Sequence, residues 1–297
     1  MKERKGEVFV VTAGICWGII GIFTRYLAAD QINSAQITFI RNAVAAFGMG
    51  VVIWCSEKKR FRIHVKDLWM FLGSGILSIV FFNVCYFKAI EITTMSIAAI
   101  LLYTAPSMVL VLSAILFKEK ITVQKLLALL LAFGGCILTA GITGGIETPS
   151  LRGVVLGLGA GFGYALYSIF GSIALKKYHP FTVTFYTFFI AAITLFPFVQ
   201  IKELGPIVMV ENNRILCCLF LGLISTLVPF LLYTKGLEFL EAGKASVMAF
   251  VEPLVATVCG IIVFHEPMTG SNAAGIGLIF ASVILLNMKK KDKRSSF

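Results

Sequence analysis

The sequence predicts an all-α polytopic membrane protein of ten transmembrane helices, arranged as two inverted five-helix repeats. Three observations predict this fold: the composition, the distribution of charge, and a pattern that recurs 147 residues further along the chain. Of the 297 residues, 58% are hydrophobic and 14% are charged, and the mean hydropathy is +0.92. A soluble domain carries about 25% charged residues to cover its surface. Most of the surface of this chain is therefore expected to face lipid.

Ten apolar stretches are long enough to cross the hydrocarbon core, which takes roughly 20 residues for about 30 Å. They cover residues 8–27, 35–54, 68–87, 96–117, 123–140, 154–175, 181–201, 215–233, 245–264 and 272–288. Short connections predict antiparallel neighbours and leave no room for a soluble domain. The first stretch follows basic residues as a signal peptide would, but it is longer than the apolar region of a signal, so we expect a structural helix.

The distribution of lysine and arginine predicts the orientation. With the N-terminus in the cytoplasm, 20 of the 26 basic residues lie in cytoplasmic segments and five lie outside, while Arg41 lies within a span. Because cytoplasmic loops are enriched in these residues, both termini are predicted to be cytoplasmic, in the cytoplasmic membrane. Residues 289–297 are predicted to form a basic cytoplasmic tail. Such clusters contact lipid headgroups, and no nucleic-acid partner is predicted.

The motifs of enzymes and metal sites are missing from the sequence. The seven cysteines form no C-x-x-C pair and no zinc spacing, so they are interpreted as packing residues. His265 and Glu266 begin like H-E-x-x-H, but Thr269 occupies the second histidine position. The chain has no P-loop. We therefore predict no enzyme, no cofactor and no metal site.

Shifting the sequence by 147 residues aligns its second half with its first. The coincident pairs include Gly6 and Gly153, Gly14 and Gly161, Trp17 and Tyr164, Tyr86 and Tyr233, Pro106 and Pro253, and Glu119 and Glu266. Each half has an odd number of spans, so the second half enters the membrane inverted relative to the first. Inverted repeats of this kind are the usual architecture of alternating access.

The end of each half carries the same motif. Residues 102–135 (LYTAPSMVLVLSAILFKEKITVQKLLALLLAFGG) and 250–282 (FVEPLVATVCGIIVFHEPMTGSNAAGIGLIFAS) each hold a mid-helix proline, an acidic residue, a polar turn and a final helix rich in small residues. Two such modules, over residues 6–141 and 151–288, resemble the drug/metabolite transporter superfamily, as an EamA-type permease. The resemblance implies a bacterial inner-membrane transporter, most often an exporter, for small metabolites such as amino-acid-like solutes or drugs.

Under this hypothesis the partners are the lipid bilayer, a small solute and a proton as coupling ion; the oligomeric state is left open. The alternatives are a non-transporting membrane enzyme or sensor, and a passive channel.

Polar groups present in only one repeat are the main candidates for the solute pathway. Glu252 lies deep in the ninth span beside Pro253, and its counterpart is Ala105. An ionisable group at that depth costs a few kcal/mol and usually marks a pathway or a proton relay; the alternative is a structural acid. Arg41, in the second span, is expected to attract a carboxylate, to pair with Glu252, or to reach the headgroups.

The remaining candidates have structural alternatives as well. Asn83 and Tyr86 are expected to bond a solute or a neighbouring helix, and Trp17 and Tyr164 form an aromatic gate or part of the core. Pro106 and Pro253 each remove a backbone hydrogen bond and are expected to kink their helices beside a central site or for packing alone. Helix capping or loop charge accounts for Glu119 and Glu266.

Overall fold

The structure, a computed structural model, describes residues 2–29, 32–140 and 150–288. The predicted tail, 289–297, lies outside the described residues. The described chain is helical and contains no strand. Its main helices are α1 (Lys2–Ala29), α2 (Ser34–Ser56), α3 (Val65–Ile92), α4 (Met95–Phe117), α5 (Val123–Thr139), α6 (Leu151–Ala174), α7 (Pro180–Phe198), α8 (Asn212–Leu237), α9 (Ala242–Phe264) and α10 (Gly270–Asn287).

Nine of these helices in the described chain are long and apolar enough to cross a membrane, and α5 is a shorter apolar helix. At 1.5 Å per residue, the 17 residues of α5 rise about 25 Å. The predicted ten-helix architecture is confirmed. A short helix, Ile201–Met209, was not predicted. Its Leu204 is buried in one cluster with Leu27 and Ile37, so this short helix covers the end of α1 and the start of α2.

The two repeats correspond in backbone conformation. Lys118 (φ 57°) and His265 (φ 53°) end α4 and α9 in the left-handed region, and they lie 147 residues apart. The next helices begin at equivalent threonines: the side chain of Thr122 accepts from an amide of α5, and that of Thr269 accepts from an amide of α10. Both helix ends and helix starts therefore follow the repeat.

Helices α4 and α9 are each broken near the middle. In α4 the segments are Met95–Leu102 and Ala105–Phe117, and in α9 they are Ala242–Met248 and Val251–Phe264. Pro106 and Pro253 lie in the first turn of the second segments, where a missing N–H costs little. The carbonyl of Ala249, four residues before Pro253, accepts from the N–H of Glu252 over 2.9 Å. Each proline thus marks the start of a new segment.

The repeats interlock: α1 packs on α8, α3 on α6, α2 on α7 and α5 on α10. Equivalent glycines allow close approach beside the breaks. A Cβ atom on Gly14 of α1 would lie 3.2 Å from Val251 of α9, and one on Gly161 of α6 would lie 2.9 Å from Thr104 of α4. These contacts hold the broken helices against the repeat to which they do not belong.

Both α3 and α8 contain wider turns of the π type, at Gly73–Val80 and Leu223–Leu227. The second range, shifted back by 147 residues, falls within the first. Wide turns of this kind are rare and are frequent at functional sites. Because they follow the repeat, they belong to the architecture of both halves.

Candidate solute site

A small cavity lies at the breaks of α4 and α9. Its lining comes from both repeats and consists of Leu102, Tyr103, Ala105, Pro106, Tyr164, Ser246, Ala249, Phe250, Glu252 and Pro253. The sequence had singled out four of these: Pro106, Tyr164, Glu252 and Pro253. It had missed Tyr103 and Phe250, which are 147 residues apart and each precede a proline by three residues.

Glu252 is the charged residue of this lining. Because Gly14 has no side chain, the backbone of α1 approaches the backbone of Glu252 closely. This contact fixes the first turn of the second α9 segment. The Tyr164 hydroxyl donates to Oε2 of Glu252 over 3.5 Å, a long hydrogen bond. Within the described chain, no lysine or arginine forms an ion pair with Glu252. Its carboxylate therefore keeps capacity for a further partner.

Arg41 lies in α2, seven residues from Ser34 and so about 10 Å along the helix from its start. The guanidinium interacts electrostatically with Glu252 and with Tyr164. Over the part of the chain that the structure describes, it forms neither a side-chain hydrogen bond nor an ion pair. The cation and the acid are thus near neighbours without direct contact.

Tyr86 and Asn83, one turn apart on α3, have different surroundings. Tyr86 interacts electrostatically with Glu252, and its ring stacks on Phe82 at 5.8 Å between centroids. Asn83 is 4% exposed; its amide donates to the carbonyl of Ile79 over 2.7 Å and its oxygen accepts from Thr38 over 3.4 Å. The bonds of Asn83 fit the helix-to-helix alternative, whereas Tyr86 interacts with the acid only electrostatically.

We call the bundle end that carries Lys58, Lys118 and Lys176 the basic face, and the other end the opposite face. Trp17 packs on Phe230 and Tyr233 with centroids 5.0 and 5.4 Å away. These residues belong to a buried aromatic cluster that also contains Tyr167 and Phe188.

Most rings of the aromatic cluster lie in the half of the bundle nearer the basic face. Helix α8 runs toward the basic face, and Phe230 and Tyr233 lie in its last third; α6 runs the same way, with Tyr167 beyond Tyr164. The hydroxyls of Tyr233 and Tyr167 are hydrogen-bonded to Ser168 and Thr234, each at 2.7 Å. Aromatic packing therefore joins α1, α6, α7 and α8, and none of these rings lines the cavity. The sequence analysis found Trp17 but missed the rest.

No group of three or more metal-binding side chains occurs among the described residues. The predicted absence of a metal site stays a prediction. The cavity is accordingly described by its acid, its tyrosines and the nearby arginine.

Ten helices in two interlocked repeats, with a cavity at the breaks of α4 and α9, define a multi-pass helical membrane protein. The EamA-like transporter family matches this chain twice, over residues 4–141 and 151–288. The chain therefore belongs to the EamA-like transporter family.

Relatives that match over nearly their full length are described as transporters. A protein of Archaeoglobus fulgidus described as "Uncharacterized transporter" is 30% identical over 288 residues, which cover 95% of this chain and 96% of the relative. An "Uncharacterized inner membrane transporter YicL" of Salmonella typhimurium is 25% identical, with 98% of each chain covered. A solved crystal structure matches with a TM-score of 0.78 at 15% identity, over 95% of this chain and 96% of that chain. This last match shows the shared fold.

Proposed function

We propose that this transporter is a secondary active carrier that moves small solutes across the cytoplasmic membrane by alternating access, as an exporter. The observation that supports this most is the cavity between the two repeats, whose acid forms no ion pair with any described residue. Inverted repeats with broken helices at the midplane are the arrangement in which such carriers bind their solutes.

The charges near the cavity suggest the class of solute. Keeping Arg41 and Glu252 apart at this depth costs free energy, because each ion loses water without gaining a direct partner. A solute with a carboxylate for Arg41 and an ammonium group for Glu252 would supply both partners. We therefore propose an amino-acid-like zwitterion.

Glu252 also suits proton coupling in this proposal. A carboxylate that releases the ammonium group of the solute in a largely apolar cavity is left unpaired, and taking up a proton removes that cost. The Tyr164 hydroxyl, within hydrogen-bonding reach, would then hold the neutral acid in place. Solute release toward one face would thus be followed by proton binding from it.

The orientation in this proposal follows from charge. With 20 of the 26 lysines and arginines in the segments of the basic face, that face is assigned to the cytoplasm, together with both termini.

Reconstituted transport tests the proposal. Proteoliposomes that contain the purified chain are loaded with a mixture of radiolabelled neutral amino acids, and efflux is followed with and without a pH gradient. We expect saturable, gradient-dependent efflux, a more than tenfold loss in Glu252→Gln and Arg41→Gln, and no change in Glu91→Gln, an exposed acid of α3 outside the cavity.

Other outcomes would decide against parts of the proposal. Wild-type efflux in both variants would exclude the charge pair as the solute site. An unchanged pH dependence in Glu252→Gln would remove the proton step. Turnover of lipid without solute flux would favour the enzyme alternative.

A further inference from the structure

Glu119 joins the two repeats at the basic face. Its carboxylate accepts hydrogen bonds from two backbone amides of α9, from Ala242 over 2.9 Å and from Gly243 over 3.2 Å. The side chain is 11% exposed, and the ammonium of Lys125 lies 3.9 Å from Oε2. Glu119 follows the end of α4, the broken helix of the first repeat. The two amides lie at the start of α9, the broken helix of the second repeat. Charge-assisted bonds of this kind are about twice as strong as neutral ones.

Other bonds hold the same end of α9. Lys125 of α5 pairs with Glu241, and Lys244 pairs with Glu3 at 2.9 Å and with Glu7 at 2.6 Å. The start of α9 is therefore held to α1, α4 and α5 together.

The equivalent contact at the opposite face is not made. The repeat maps Glu119 onto Glu266, and it maps Ala242 and Gly243 onto Met95 and Ser96. Glu266 is 47% exposed and pairs with Arg25 at 2.8 Å, and among the described residues it accepts from neither amide. Met95 is 62% exposed, whereas its counterpart Ala242 is 2% exposed.

The contact is thus formed at the basic face, whereas its symmetry-related copy at the opposite face is not formed. Arg25 has Ser172 as its counterpart, so a cation holds the acid on one face alone. The guanidinium of Arg25 also lies over the Phe264 ring, 4.3 Å from its centroid. The repeat makes the unformed contact geometrically equivalent to the formed one.

We propose that Glu119 and Glu266 are the alternating gate residues of the transport cycle. Glu119 closes the basic face by bonding the Ala242 and Gly243 amides. When that face opens, these bonds break, Glu266 leaves Arg25, and its carboxylate accepts from the Met95 and Ser96 amides to close the opposite face. The inference rests on the proposed alternating access, since it names the residues that hold each end shut.

Cysteine labelling of the purified full-length chain tests this exchange without knowledge of the solute. Ala242→Cys reports opening of the basic face, and a water-soluble maleimide in detergent reaches both faces. Peptide mass spectrometry separates the reporter from the native cysteines, of which exposed Cys55 serves as the internal reference. The labelling rate of the reporter measures how often the basic face opens.

Removing the charge of each acid should shift this rate in opposite directions. Glu119→Gln should raise the rate at Ala242→Cys about tenfold, since replacing two charge-assisted bonds by weaker ones moves the equilibrium by about that factor. Glu266→Gln should lower the rate by a similar factor, because it weakens the competing state. The matched control is Glu57→Gln, an acid of the basic face that pairs with Arg60 outside the gate, and it should change nothing.

The double variant Glu119→Gln/Glu266→Gln separates gating from unfolding. Compensation should bring the rate to within about threefold of the parent, which an unfolded protein would not show. A second reporter, Met95→Cys, should not label faster in Glu119→Gln. Faster labelling at both reporters, no response to Glu266→Gln, or no compensation would each overturn the gate proposal. Efflux without these labelling changes would refute the gate alone, whereas labelling changes without solute flux would refute the proposed transport.

Discussion

Phe230, at the centre of the aromatic cluster, offers the most direct test of how tightly the buried rings pack. Its ring lies edge-on to three others, with centroids 5.0 Å from Trp17, 4.9 Å from Tyr167 and 5.0 Å from Phe188. Phe230 is 5% exposed. We predict that Phe230→Ala destabilises the protein more than any change to a lipid-facing ring.

The size of the effect follows from these contacts. Truncating a buried phenylalanine to alanine costs about 3–5 kcal/mol, because it removes ring contacts and leaves a cavity. Three aromatic pairs at about 0.5–1.5 kcal/mol each account for a large part of that cost. For a chain of this length, a loss of about 3–5 kcal/mol lowers Tm by roughly 5–8 °C. Phe230→Leu keeps most of the volume and should lose less than half as much.

Thermal unfolding in one detergent, followed by the exposure of buried cysteines, measures the difference. The matched control is Phe47→Ala, since Phe47 lies on α2 and is 76% exposed. We expect its Tm to stay within about 2 °C of the parent. Equal losses of Tm in Phe230→Ala and Phe47→Ala would refute the claim that the aromatic cluster is tightly packed.

Two further predictions concern the backbone. Gly161→Val should lower Tm by several degrees, because its Cβ would lie 2.9 Å from Thr104 and 3.1 Å from the backbone carbonyl of Leu101. The control is Gly205→Val, which has open space around the Cβ position. An equal loss of Tm in both variants would contradict the close contact of α6 with α4. Lys118→Gly should stabilise the protein by about 1 kcal/mol in the same assay, since a glycine adopts φ 57° without the cost that other residues meet; Lys118→Val should destabilise it, and the reverse order would contradict the left-handed end of α4.

The sequence predicted the architecture well because its signals are local or periodic. Apolar length located the ten helices, and the 147-residue offset matched Lys118 with His265, which share a rare backbone conformation. Glu252 was identified because an acid deep in an apolar helix is costly unless it has a role. Each of these inferences needs only the chain and the chemistry of the bilayer.

What the sequence missed depends on contacts between distant residues. The offset pairs Glu119 with Glu266, but it does not reveal that one bonds Ala242 while the other bonds Arg25. A repeat is symmetric in sequence, whereas a single conformation breaks that symmetry. The cluster around Phe230 was missed for a related reason. The repeat counterpart of Phe230 is Asn83, so the repeat gave no sign of an aromatic cluster at this position.

Counterflow in proteoliposomes tests the central claim of alternating access most directly. Vesicles are preloaded with unlabelled neutral amino acids and diluted into a trace of the same radiolabelled compounds, with no ion gradient. A carrier that exposes one site to one face at a time should accumulate the tracer transiently above its equilibrium level, and Glu252→Gln should abolish that overshoot. Tracer that rises only to equilibrium, at the same rate with and without preloading, would contradict the account and indicate a passive channel.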